Sequence, residues 1–446
     1  MPRANRPSPA PPETIRSPKS LVQRRPTPLE EAAATFERTI LPGGVRVVTE
    51  SIPSVRSVSV GAWVNAGSRD ETPADGGISH FLEHLVFKGT ARRRGYQINR
   101  RMESVGGYLN AFTTKEQTCF YARGLDEHLG RALDTVLDLV TSPTIPAKDV
   151  EKEKDVVIEE IKMYEDNPDD HVFDFYEQAV YPGHALGRPV IGTPESVQSF
   201  TPARVRGYLE QRYAPNQIVV AVAGRVDHAR VVREVERQLA GFDRKPFDLM
   251  RTAPEAYAPS AQAIPRPIQQ AHLVIGAPAW GALDGRRTAL ALLNTVLGAG
   301  MSSRLNQNIR ERYGYCYSIY SFVNQQADSG DAGVYVGVDG SKVDRVQKLV
   351  VRELEDIAAK PLTPGALARG KQQLKGSVML GLESMSNRMQ RLGRTELLFA
   401  RYYSLDEVLD EVEAVRAEDV RAAAEAIFAP ARLSTVAFVP DLKASA

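Results

Sequence analysis

The chain has 446 residues, 43% hydrophobic and 25% charged, with a formal net charge of +1. That length exceeds what one hydrophobic core usually supports and predicts two domains, while the balanced charge excludes a nucleic-acid surface built on an overall basic excess. No apolar run is long enough for a transmembrane helix, so no membrane partner is expected; the two cysteines, Cys119 and Cys316, cannot build a disulfide framework and point to a reducing, cytoplasmic setting.

Residues 1–35 are rich in proline and arginine and lack the apolar run of a secretory signal, and their prolines would break the amphipathic helix of a mitochondrial presequence. They are predicted to form a disordered tail. From residue 36 the pattern is globular. "GGVRVVTE" and "SVRSVSVGAWVNAG" read as strands, followed by a helix in "ISHFLEHLVFKGT" and another over 96–105. "YLNAFTTKEQTCFYARGL" reads as a β-hairpin. Helices are predicted over 126–141, 147–165 and 202–213, then the strand "QIVVAVAG" and a helix over 227–240. The irregular, proline-rich stretch 241–268 reads as a linker between an N-terminal lobe, 36–240, and a C-terminal lobe, 269–446.

The second half repeats the pattern of the first. "FYARGLDEHLGRALDTVLDLVTSPTIPAKDVEKEKDVVIEEIKM" and "VYVGVDGSKVDRVQKLVVRELEDIAAKPLTPGALARGKQQLKGSVML" both run strand, Gly-x-Asp, amphipathic helix, proline loop, helix. "HFLEHLVFKGT" falls opposite "ALLNTVLGAGM". The fold class is therefore α+β: two similar lobes, each a mostly antiparallel sheet packed with helices, joined by a linker.

The chemistry concentrates in "GGISHFLEHLVFKGT". On a helix, positions i and i+4 stand one above the other, so His80 and His84 share a face with Glu83, while Ile78, Phe81, Leu82 and Leu85 make the apolar face. Two imidazoles at this spacing can bind one Zn²⁺, and H-x-x-E-H is the inverted-zincin order, with the glutamate aimed at water. A third ligand is available in "DVEKEKDVVIEEIKMYED". There Glu153 and Glu160 interrupt a stripe of Val156, Val157, Ile161 and Tyr164, whereas Glu159 lies on the solvated side. A buried carboxylate needs either a salt bridge or a cation. A cation selects Glu160, with Glu153 placed to orient a ligand from behind. In the second half the matching positions are Ala291, Asn294 and Thr295, and Lys371 and Val378, so one site per chain is expected.

Together these motifs resemble the pitrilysin or insulinase family of zinc peptidases, over about residues 38–440, and in size the small bacterial relatives of the mitochondrial processing peptidase β subunit. The resemblance implies one Zn²⁺ per chain held by His80, His84 and Glu160, with Glu83 as general base and Glu153 as an auxiliary carboxylate. It implies that Asn110 and Ala111 in "YLNAFTTKEQT" lie on an edge strand that binds the peptide substrate. Arg310 and Tyr317, seven residues apart in "RLNQNIRERYGYCYSIYSF", would donate hydrogen bonds to substrate or intermediate, brought across as the lobes close like a clam with 241–268 as hinge. "LGAGMSSRL" is too short for the glycine-rich loop of the α subunit, so presequence recognition of that kind is not implied. The expected activity is cleavage of short or unfolded peptides by a homodimer, or by a heterodimer with a related subunit. The alternative is a non-catalytic scaffold subunit of a processing-peptidase-like complex.

Overall fold

The structure, a computed structural model, describes residues 34–255 and 257–441, so the predicted tail lies outside the described residues up to Ala33. Thr35 already begins a strand. The first lobe runs β1 (Thr35–Ile40), β2 (Arg46–Ser51), β3 (Ser57–Val64), α1 (Ile78–Val86), α2 (Gly95–Glu103), β4 (Tyr108–Thr113), β5 (Thr118–Leu125), α3 (Leu129–Thr141), α4 (Ala147–Glu165), α5 (Pro168–Val180), α6 (Pro194–Gln198), α7 (Pro202–Arg212), β6 (Ile218–Gly224) and α8 (His228–Gln238). The second runs β7 (Ala261–Arg266), β8 (Gln270–Ala279), α9 (Arg287–Gly298), β9 (Cys316–Gln325), β10 (Gly330–Asp339), α10 (Val343–Ala359), α11 (Pro364–Gly381), α12 (Met385–Phe399), α13 (Leu405–Ala414), α14 (Ala417–Phe428) and β11 (Ser434–Pro440).

The two sheets share a plan. The first is ordered β1-β2-β6-β3-β5-β4 and the second β7-β11-β8-β10-β9. Each is antiparallel except for one parallel pair, β2 with β6 and β7 with β11. Without β1 the orders superpose strand for strand, as the repeat predicts. β4 and β9 are the matching terminal strands, each with one unpaired edge. The central strand β6 reads IVVAVAG and is buried throughout, as a strand covered on both faces should be.

Both faces are covered because the lobes exchange helices. α5, from the first lobe, lays Val172, Tyr176 and Val180 on Val274, Val436 and Phe438 of the second sheet. α12, from the second lobe, lays Met389 and Leu392 on Val48, Trp63, Val219 and Ala221 of the first. At Gly393 of α12 any Cβ would collide with the Trp63 indole, so glycine permits this close approach. Ion pairs flank the seam: Arg38 to buried Glu396 at 2.9 Å, and Arg388 to buried Glu50 at 2.7 Å.

The segment expected to act as a hinge is pinned instead. Its first part has no helix or strand, but residues 261–266 form β7 inside the second sheet. Arg251 forms a fork on Asp70, both contacts at 2.8 Å, and Asn216 and Gln217 donate to the Phe247 carbonyl. Arg69 bridges Glu116 at 2.6 Å and Asp328 of the second lobe at 2.7 Å, and is itself buried. Losing one member of such a network leaves a buried charge unanswered, so these contacts help hold the lobes together in this conformation. Cys119 and Cys316 are free and buried. Among the described residues no helix is long and apolar enough to cross a membrane.

Candidate metal centre

α1 begins after Gly77, whose φ of +89° suits glycine and where a Cβ would meet the Ile191 carbonyl oxygen at 2.6 Å. The carboxylate of Glu71 takes the place of an N-cap side chain. It accepts the N–H groups of Gly77 and Ser79, both at 2.8 Å, and its negative charge suits the positive end of the helix. Burial pushes the Glu71 carboxyl up to about 7, against those same hydrogen bonds. The helix is anchored from below by Ile78, Phe81, Leu82 and Leu85, all fully buried. Its opposite face then presents His80, Glu83 and His84 towards α4 and β4.

α4 brings Glu160 to the pair of imidazoles. Its carboxylate oxygens lie 3.7 Å from His80 Nε2 and 3.4 Å from His84 Nε2. One donor atom from each of the three residues falls within 4.8 Å of the others. Ligands about 2.0–2.1 Å from a tetrahedral Zn²⁺ stand about 3.4 Å apart, so the two nitrogen–oxygen separations match a shared small cation. The donor set also has an orphan: Glu160 Oε2 is buried without a hydrogen-bond partner. The residues present fit the group. Glu159, one position away, is 69% exposed and paired with Lys162, while the Glu160 side chain is 43% exposed. The stripe on α4 is narrower than predicted, since Val156 is exposed.

Glu153 lies behind the ligands. It is fully buried, with one oxygen 3.0 Å from His84 Nδ1 and the other 2.7 Å from Lys88 Nζ. The first contact leaves His84 Nε2 facing Glu160. Burial pushes His84 down, but the Glu153 hydrogen bond and the carboxylates of Glu160, Glu153 and Glu83 outweigh it and raise its pKa. His80 lacks such a partner; burial, then the neighbouring His84, hold it down at about 4, so it is a neutral imidazole near pH 7. For Glu83 burial is the largest influence and raises the carboxyl pKa, partly offset by a hydrogen bond from Thr113 Oγ1 at 2.6 Å. Glu83 is thus a held, half-desolvated carboxylate beside the cation position and not within its donor set.

Thr113 belongs to β4, the terminal strand, as do Asn110 and Ala111. Ala111 is buried against α1, and Asn110 Oδ1 accepts the Ala111 N–H at 2.9 Å while its Nδ2 donates to the Tyr108 hydroxyl at 2.7 Å. Sequence reasoning missed Thr113, Lys88 and Glu71. A signal existed for Thr113: it stands two residues beyond Ala111, on the same side of the strand. Arg310 and Tyr317 lie elsewhere. Arg310 sits in a π-helical turn, Asn306–Glu311, and Tyr317 on the terminal strand β9, 83% exposed, with the guanidinium 6.0 Å from its ring. Among the described residues, no hydrogen bond, ion pair or ring contact joins either to His80, Glu83, His84 or Glu160. In this conformation the second lobe does not bring them onto the cluster, and α5, α12 and the Arg69 network pack the two lobes together.

The fold brings His80, His84 and Glu160 together as a group that could hold a metal ion, with Glu83 beside it, on a duplicated α+β scaffold. The family model "Insulinase (Peptidase family M16)" matches residues 46–194, and "Peptidase M16 inactive domain" matches residues 199–374. The chain is 43% identical to an "uncharacterized zinc protease" of Streptomyces coelicolor, over 93% of this chain and 92% of that one. It is 39% identical to another of that description from Bacillus subtilis, over 88% and 96%. A solved structure described as a protease from Helicobacter pylori superposes with a TM-score of 0.86 at 21% identity, covering 91% of this chain and all of that one. A peptidase M16 inactive domain from Pseudomonas fluorescens gives 0.86 at 19%, covering 92% and 98%. The chain belongs to the insulinase (M16) peptidase family.

Proposed function

We propose that the protein is a zinc-dependent metalloendopeptidase that cleaves short or unfolded peptides. The observation that carries this reading is the convergence of His80, His84 and Glu160 from two helices, with donor atoms spaced for one tetrahedral cation and Glu83 beside it. Zinc, when bound, supplies a Lewis acid that acidifies water and polarises a carbonyl. Glu83 accepts the proton of the attacking water and passes it to the leaving amine, and Thr113 holds its carboxylate in place. Glu153 fixes the His84 ring so that Nε2 faces the cation position. The unpaired edge of β4 receives the peptide as an added strand, with Asn110 and Ala111 along the contact, so the substrate must be extended and folded proteins resist.

Tyr317 is exposed and Arg310 partly exposed on the second lobe, both away from their own chain's cluster, which supports a homodimer in which a second copy meets them. The named zinc proteases among the relatives support the choice of metal and reaction. A non-catalytic scaffold needs the fold but not the donor set or Glu83. The deciding experiment compares wild type with Glu83→Gln for zinc content and for cleavage of a quenched peptide library. Zinc is expected to be retained and kcat to fall on the order of 10²–10⁴-fold. An unchanged cleavage rate removes Glu83 from the mechanism, and a wild type without metal-dependent cleavage removes the peptidase.

A further inference from the structure

A second cluster lies on the first lobe, away from the donor set. Arg92 and Arg93 precede α2, Arg100 and Arg101 close it, and Arg131 reaches in from α3. With Tyr96 these five arginines line a pocket of about 390 Å³. The near-zero charge of the whole chain conceals this local excess.

Within the described residues only two carboxylates answer the five cations. Asp134 pairs with Arg92 at 2.9 Å, with Arg101 at 2.6 Å, and with Arg93. Asp138 pairs with Arg92 at 2.8 Å and with Arg93. The Arg131 side chain donates only to the Arg101 carbonyl at 3.2 Å and Ser104 Oγ at 3.4 Å, and the Arg100 side chain has no hydrogen bond or ion pair among the described residues. The pocket is left with more guanidinium than carboxylate charge, and Nε of Arg101 is buried without a partner.

Crowded like charges repel, and the repulsion is relieved by an anion that accepts from several guanidinium groups at once. Guanidinium forks match phosphate oxygens two at a time, and a chain of phosphates offers many acceptors in a small volume. A carboxylate-rich peptide spreads its charges along an extended backbone, whereas these five arginines converge on one site of about 390 Å³. We propose that this pocket binds an oligophosphate group, a di- or triphosphate, either free or carried on a lipid headgroup. The site lies outside the peptidase machinery, although α2 also packs on β4, so a bound ligand would brace the helix behind the proposed substrate strand.

The test is calorimetric titration of the full zinc-loaded chain with inorganic triphosphate at low salt. Saturable binding of one ligand per chain is expected, weakening as salt rises, with binding at least tenfold weaker in Arg100→Glu/Arg131→Glu and peptide cleavage unchanged. Oligophosphates also chelate zinc, so a signal that persists in the double variant marks metal sequestration and overturns the proposal. Arg100→Ala guards against misfolding, because that side chain has no partner to lose; it should weaken binding severalfold, and equal affinity counts against the pocket. Co-sedimentation with phosphatidylcholine vesicles containing a lipid with a diphosphate headgroup, such as cytidine-diphosphate diacylglycerol, identifies a headgroup source, and triphosphate binding without co-sedimentation identifies a free one. Tighter binding of poly-glutamate than of triphosphate would replace the oligophosphate with an acidic peptide.

Discussion

The helices α1 and α4 of the first lobe have their counterparts in α9 and α11 of the second, but the two sets treat polar groups differently. Where the first lobe has His80, Glu83 and His84, the second has Ala291, Asn294 and Thr295. Asn294 Oδ1 accepts from Ser321 Oγ at 2.6 Å, and Thr295 Oγ1 donates to the carbonyl one turn back at 2.9 Å. Lys371, opposite Glu153, donates to the Glu413 carbonyl. The polar groups there find partners inside the protein. In the first lobe, Glu160 Oε2, within the cluster, does not. A buried polar atom without a partner costs on the order of 1–3 kcal/mol. The same scaffold therefore stands without the charged cluster in one lobe and tolerates its cost in the other, which is the mark of a ligand site rather than a fold requirement.

The strongest way to break this comparison is to carry the second lobe's residues into the first. The triple variant His80→Ala, His84→Thr, Glu160→Val should bind no zinc and cleave no peptide. Its metal-free stability should fall by only about 1–3 kcal/mol, chiefly because His84→Thr takes one of the two partners from buried Glu153. Zinc content with metal-free chemical denaturation checks both halves. A variant that fails to fold would mean that the cluster does serve the fold. A subtler probe is Glu153→Gln, which keeps the shape but removes the charge behind His84 and beside Lys88. Zinc affinity should fall about 10–100-fold, as measured by chelator competition; unchanged affinity would reduce Glu153 to a salt bridge.

What could be read from the sequence follows the reach of each signal. His80, Glu83 and His84 were legible because helical spacing is a local rule, and Glu160 was separable from Glu159 because a helix sorts neighbours onto different faces. The repeat also carried through, strand for strand, to the two sheets. The exchange of α5 and α12 was not legible. The Val172, Tyr176, Val180 stripe says that α5 must be buried but not which sheet receives it. Nor was the bridge from Arg69 to Asp328, 259 positions apart, which turned an expected hinge into a fastened joint. Arg310 and Tyr317 show the same limit: the guanidinium lies 6.0 Å from the ring, and the sequence says nothing of what else they face.

Thr113 sharpens the comparison at the proposed general base, since it touches Glu83 and not His80, His84 or Glu160. In Thr113→Val the hydroxyl is replaced by a methyl group of similar size, so the carboxylate loses its 2.6 Å donor while β4 keeps its place. A hydrogen bond to a charged group is worth roughly 1.5–3 kcal/mol. Because part of that loss is made good by water, kcat should fall by about tenfold with zinc content and KM little changed. A fall in KM affinity with unchanged kcat would move Thr113 from the general base to the substrate strand.

The smallest effect concerns the second lobe's own buried carboxylate, which has partners instead of orphans. Asp331 accepts from the Tyr181 hydroxyl at 3.1 Å and from Asn324 Nδ2 at 3.1 Å. Burial, then the nearby Glu177, still push its pKa from 3.8 up to about 7. Below the unfolded value of 3.8 both states hold the proton, and this group's contribution to stability is fully present. As pH rises towards 7 the unfolded chain ionises first, and that contribution is lost. Asp331→Asn keeps an oxygen for Tyr181, and Asn324 can turn its amide over to accept from the new one. The variant should therefore lose less stability than wild type between pH 4 and pH 7.5, by a few degrees in melting temperature. Parallel pH profiles for the two proteins would show that the carboxyl is solvated after all, and that the second lobe, like the first, hides a partner not accounted for.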